Sequence, residues 1–208
     1  MFRIFSLIFV VVFLVSYLMV IPNFAQQSPD KVLDTLAKAQ NSYQSGEYRR
    51  CMRQLQGAVR LVQEKMVEGI KVLFPKPIRG WEEMGEASAG LQRTFSDKLS
   101  VRKLYVKSKT TSSIEVEIAL DRANAANLRS WIANPLEMRN SSQRAELENI
   151  AGQRFVSEYD EKTKHGELVT VLGASTIVRL SGDAIKNMDD VRKFAEKLDY
   201  QKIRMAMK

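Results

Sequence analysis

Two hydrophobic periods divide this chain. Between residues 28 and 74 apolar residues recur every three or four positions, whereas beyond about residue 100 they alternate. The first spacing puts side chains on one face of a helix and the second puts them on one face of a strand. Neither pattern can serve the other structure without exposing half of its apolar residues. The chain is therefore expected to be α+β, with helices first and a sheet after them.

Ser28-Pro29 reads as a helix cap followed by a first-turn proline. Val32, Leu36, Ala39 and Tyr43 then share a face, with Leu33 beside them, until Gly46 ends the helix. A second helix starts near Glu47. Its apolar face holds Tyr48, Cys51, Met52, Leu55, Ala58, Val59, Val62, Met66 and Ile70, with Arg49, Arg53, Gln56 and Arg60 opposite. Pro75 and Pro77 stop it. Residues 28–74 thus form a helical hairpin with Cys51 on its inner side. Residues 75–92 are a Pro- and Gly-rich linker in which Trp81 needs somewhere to dock.

Residues 93–208 form the α+β domain. Leu104 and Val106 mark the apolar face of one strand, with Val101, Lys103, Tyr105 and Lys107 on the other side; Ile114, Val116, Ile118 and Leu120 mark the next strand. Asp121 caps a helix that Asn134-Pro135 ends. A meander of "GQRFVSEYD", "GELVTVLG" and "STIVRLSG" follows, then a helix opened by Asn187 and a tail helix "YQKIRMAM". The expected domain is an antiparallel sheet of about five strands with helices packed on one face.

Residues 4–21 carry no charge and follow Arg3. The stretch lies where the length of a signal peptide's apolar core overlaps that of a membrane span. Pro22 ends it and Ala25 suits the last residue before a cut, so residues 1–25 read as a signal peptide or, uncleaved, as an anchor. In either case the remainder is exported, periplasmic or extracellular, or held at the inner membrane by residues 4–21. Without residues 1–25 the chain keeps 31 basic and 24 acidic residues. A surplus of that sign on an exported protein points to an anionic envelope surface, such as lipid headgroups or acidic polymers, and away from nucleic acid. Cys51, the lone cysteine, allows no internal disulfide and calls for burial. In a secretory eukaryotic setting Asn140-Ser-Ser would accept a glycan.

"AQNSYQSGEYRRCMRQLQGAV", residues 39–59, resembles a single tetratricopeptide-type repeat, with Ala39, Gly46, Tyr48, Cys51, Leu55 and Ala58 at the matching places. No second copy follows at the repeat's spacing, so the family's peptide-binding solenoid groove is not implied. The hairpin, the "P-x-P-x-x-G-W" linker at Pro75 to Trp81 and the sheet domain together resemble a set of uncharacterised secreted bacterial proteins, and the domain resembles the PsbP type. That resemblance implies a non-catalytic protein that docks on an envelope complex.

No residue pattern specifies catalysis, a cofactor or a metal. His165 sits in the turn "KTKHGE" with no spaced partner ligand, and "SPDK" at Ser28 lacks the companion motifs of the serine–lysine enzymes. The acidic runs Glu82-Glu83-Glu86 and Glu158-Asp160-Glu161 border a linker and a turn, although an unrecognised acidic pair would make the protein a hydrolase. The sharper candidates are contacts. Arg49, Arg53 and Arg60 stripe the second helix, and Lys103, Tyr105 and Lys107 form a basic strand with an aromatic neighbour. Lys103 and Lys107 have a second expected role, as cross-strand partners of Glu115 and Glu117. A further alternative is self-association of the hairpin as a homodimer.

Overall fold

The computed structural model describes residues 30–91 and 99–207. The signal or anchor segment and the expected Ser28-Pro29 cap lie outside them. Helix α1 (Lys31–Gln44) starts instead at Asp30, whose carboxylate accepts from the Val32 amide at 2.9 Å. Gly46, at φ +75°, makes the reversal into α2 (Tyr48–Lys71). The buried residues where the two helices meet are small: Ala39 and Ser42 on α1, Cys51 and Ala58 on α2. A Cβ at Gly57 would lie 3.8 Å from the Thr35 methyl, so the helices approach closely there. The buried free thiol of Cys51 belongs to this seam.

Among the described residues the sheet has eight strands, all antiparallel, rather than about five. They are β1 (Trp81–Glu83), β2 (Ser88–Leu91), β3 (Leu99–Lys107), β4 (Ser113–Leu120), β5 (Glu146–Ile150), β6 (Gln153–Asp160), β7 (His165–Leu172) and β8 (Thr176–Asp183). The order is β1-β3-β4-β8-β7-β6-β5, with β2 also pairing with β3. The three additional strands are short edge strands. β1 and β2 fall in the stretch read as linker, and their three and four residues are too few to display alternation. β5 carries Glu146 and Glu148 and reads as polar chain.

Between β4 and β5 the chain crosses the sheet through α3 (Arg122–Ala133) and α4 (Pro135–Ser141). Asp121 caps α3 by accepting from the Asn124 amide at 3.2 Å, and Asn134 caps α4. Helices α5 (Asp189–Glu196) and α6 (Tyr200–Ala206) lie on the opposite face with the end of α2. Helices therefore cover both faces, not one. The larger core joins Val101, Tyr105, Ile114, Phe155, Leu168 and Leu180 of the sheet to Val67 and Ile70 of α2 and Phe194 of α5. The smaller core joins Leu128, Met138 and Ala145 to Val156, on the other side of the sheet. The crossing explains this: a connection from β4 to the far edge must span one face, and the final helices fill the other.

The inward face of β3 is also the reverse of the sequence expectation. Leu99, Val101 and Tyr105 are buried, whereas Leu104 and Val106 are only half-buried on the second face. Lys103 and Lys107 lie on the inward side near the sheet edge, where their stems pack and their ammonium groups reach out to acids.

Candidate functional site

The two hairpin helices pack through small residues, and that leaves several of their large apolar residues outside, whereas Val67 and Ile70 at the far end of α2 are buried in the core. On α2, Tyr48, Met52, Leu55, Val59, Val62 and Met66 recur with alternating spacings of four and three, the spacing of a coiled-coil seam. Tyr48 (63%), Met52 (50%) and Val62 (42%) are exposed to solvent. On α1, Leu33 and Leu36 are likewise exposed, as is Tyr43, whose ring stacks edge-on against Tyr48 with centroids 5.7 Å apart. Between the helices runs a groove of about 410 Å³ lined by Val32, Leu36, Leu55, Val59, Val62 and Met66, and closed towards the sheet by Leu99 and Leu120. Among the described residues of its lining Gln63 is the one with a polar side chain. Isolated exposed apolar residues are ordinary, but a continuous stripe with a concave floor marks an interaction surface.

The charges around this groove are uneven. Residues 30–71 carry eight bases and five acids. All five acids are taken within the hairpin: Asp34 by Lys38, Glu47 by Arg50, Glu64 by Arg60, Asp30 by Lys65 and Glu68 by Lys71. Arg60 is thus partnered, at 3.5 Å in an exposed pair. Arg49 and Arg53, with Lys31, have no acidic partner among the described residues. Arg49 and Arg53 stand one turn apart on α2; Arg49 adjoins the apolar stripe at Tyr48 and Met52, and Arg53 lies further round the helix.

The strand candidates occupy a different environment. Tyr105 is fully buried, its ring 4.5 Å from that of Phe194, and its hydroxyl donates to the Pro75 carbonyl at 2.6 Å. Burial pushes that hydroxyl's pKa upward, with the Glu83 charge adding to the effect. It is therefore a core residue and not a surface contact. Lys103 pairs with Glu83 at 2.5 Å. Lys107 pairs with Asp190 at 2.7 Å and lies over the Trp81 ring, 5.5 Å from its centroid. The expected pairing of Lys103 and Lys107 with Glu115 and Glu117 does not occur. The register sets Arg102 opposite Glu117 and Lys103 opposite Val116, so the glutamates face the other side of the sheet.

That second face carries a band of charges which alternation in β3 and β4 hinted at but only the register assembles. Glu117 is buried, accepting from Ser100 Oγ at 2.5 Å, Arg102 Nε at 3.0 Å and Arg179 Nη1 at 3.0 Å. Arg179 also meets Glu167, which stands opposite Glu158 in the β6–β7 register. Arg144 binds Asp160, and this hydrogen bond holds the carboxyl below the usual carboxylate range. Glu158 and Asp160 of the acidic run are thus ion-paired side chains, at 3.5 and 2.5 Å from Arg144. His165 Nδ1 lies 2.7 Å from Asp183, both exposed. Among the described residues no group of three or more His, Cys, Asp or Glu side chains could hold a metal ion, and no helix is long and apolar enough to cross a membrane.

Sequence reasoning missed two parts of the site. The seam on α2 lies within the apolar face that the sequence shows, but periodicity alone does not separate its outward residues from Cys51, Ala58 and Ile70, which are buried. Leu99 and Leu120 carry no local signal, because only the seating of α2 on the β3–β4 ladder brings them to the groove.

Compared with known proteins, the chain matches no family model, no curated protein and no solved structure.

Proposed function

We propose that the protein is an exported, non-catalytic binding protein of the cell envelope, and that the α1–α2 hairpin is its docking surface. One observation carries this reading: the apolar groove along α2, which no described residue covers, with Met52 and Val62 open to solvent on the helix that carries Arg49 and Arg53, neither of which has an acidic partner among the described residues. Fully burying one such side chain stabilises an association by roughly 1.5–3 kcal/mol, so a chain that leaves several exposed on a rigid support gains by covering them. The apolar segment at residues 4–21 and the surplus of basic residues support an envelope setting. The α+β domain supplies the support, because Val67 and Ile70 root the far end of α2 in its core. The resemblance to secreted proteins with a PsbP-type domain agrees with docking on an envelope protein or complex.

The test replaces Arg49, Arg53 and Arg60 together by Glu and, separately, Met52 by Asp, in cells expressing the full chain. Both variants are expected to fold and to leave the envelope fraction, the arginine variant most completely at low salt. Unchanged retention of both at low salt would sink the reading.

A further inference from the structure

The hairpin's surface is specific enough to name the kind of molecule that covers it. We infer that the occupant of the α1–α2 groove is an amphipathic α-helix of a partner protein whose polar flank is acidic. This deepens the docking reading and rests on it.

Three features select a helix. Along α2 the exposed Tyr48, Met52 and Val62 and the half-buried Leu55, Val59 and Met66 repeat at alternating four and three positions, and ridges and grooves at that spacing accept the side chains of another helix. Leu33, Leu36 and Tyr43 continue the surface on α1, so an added helix would lie against two helices at once. An extended strand is a poor occupant because α1 and α2 use their own amide and carbonyl groups internally. The strand's hydrogen bonds would have no partners in the groove, whereas a helix brings its own satisfied.

Charge selects the sign of the flank. With every hairpin acid paired internally, Arg49, Arg53 and Lys31 are left over and no hairpin carboxylate remains to meet them. A second copy of the same hairpin would bring three more such cations and nothing to neutralise either set. Self-association through this face is therefore disfavoured by charge while being favoured by its apolar stripe, and an acidic helix satisfies both. A lipid surface would also attract the arginines. Yet the apolar residues form a concave groove with Leu99 and Leu120 at its floor, which a flat bilayer surface does not fill.

The experiment uses the chain as isolated from the cells that express it, with two fluorescent 21-residue peptides as probes. Each has three heptads with Leu at the a and d positions; one has Glu and the other Lys at e and g. Anisotropy titrations are expected to show saturable binding of the Glu peptide, at least about tenfold tighter than the Lys peptide. Arg49→Glu with Arg53→Glu should reverse that preference, and Val62→Asp should abolish binding of both. Met52→Asp is the second variant if Val62→Asp disturbs the fold. The control Lys162→Glu with Lys186→Glu, away from the hairpin, should change nothing.

Equal binding of the two peptides, or binding that survives both Val62→Asp and Met52→Asp, overturns the inference. So does a native mass of twice the chain that Val62→Asp halves, which assigns the groove to a second copy. Tighter binding to phosphatidylglycerol vesicles than to the Glu peptide overturns it in favour of a membrane. If neither peptide binds while Met52→Asp still releases the protein from the envelope, the docking reading stands and the helix is wrong. If release also fails, both fall.

Discussion

The hydroxyl of Tyr105, on β3, donates to the carbonyl of Pro75, the residue that follows the hairpin, across 2.6 Å of fully buried space. This one bond satisfies the carbonyl just where the chain leaves α2, and ties the hairpin's exit to β3. Tyr105→Phe keeps the ring against Phe194 but strands that carbonyl. The expected cost is about 1–3 kcal/mol, read as a lower urea midpoint. Faster hydrogen exchange should appear in the last turns of α2 before the central strands. A loss spread evenly over the sheet would contradict the bond's role as a tie.

Glu117 sits among Ser100, Arg102 and Arg179, which were desolvated in part to meet it. Removing one member of a buried pair costs about 3–5 kcal/mol, but both arginines retain partial water contact, which lowers the expectation for Glu117→Ala to ~2–3 kcal/mol. Denaturant melts should show this, and Glu117→Gln should recover part of it.

Asp190 accepts from Lys107, Lys193 and the indole of Trp81, the last at 3.3 Å. Burial alone would raise its pKa, but the two ammonium groups outweigh it and hold the carboxyl below its ordinary value of 3.8. A depressed folded-state pKa contributes stability above the unfolded value, and that stability is lost as pH falls through the folded one. Asp190→Asn should therefore be less stable than the parent at neutral pH, with the difference shrinking below about pH 4. Denaturation curves from neutral to acid pH check it; a gap that widens on acidification would reverse the assignment.

Gly166 and Gly182 stand opposite each other in the β7–β8 ladder. A Cβ at Gly182 would come within 2.7 Å of Ile185 Cδ1 and 3.0 Å of Val191 Cγ2; at Gly166 the close atom is the Met188 sulfur. Methionine can swing aside, whereas the Val191 methyl is one bond from a helix-borne Cβ. Gly182→Ala is expected to destabilise by ~1–3 kcal/mol, more than Gly166→Ala, by thermal or denaturant melts.

Arg192 holds Glu148 through two hydrogen bonds, at 2.7 and 2.8 Å, and so fastens α5 to the short edge strand β5. Arg192→Lys keeps the charge but loses the fork. It should raise exchange rates in β5 selectively, leaving β7 and β8 protected.

The sequence by itself determined the order of helix and sheet, both hairpin helices, the β6–β8 meander and the terminal helices. Each is long enough for its period to show, and Gly46, Asp121 and the proline stops mark ends by local chemistry alone. It also showed the basic stripe of α2 and the apolar face within which the groove's seam lies. Tertiary structure alone decided the rest. Strands β1, β2 and β5 exist because a neighbour offers them a ladder, not because their few residues insist on one. Which face of β3 turns inward was decided by α2 and α5 covering it, since Lys103 and Lys107 could reach acids at the sheet edge. Arg102, and not either lysine, meets Glu117 because register is a relation between two strands, and no single strand encodes it.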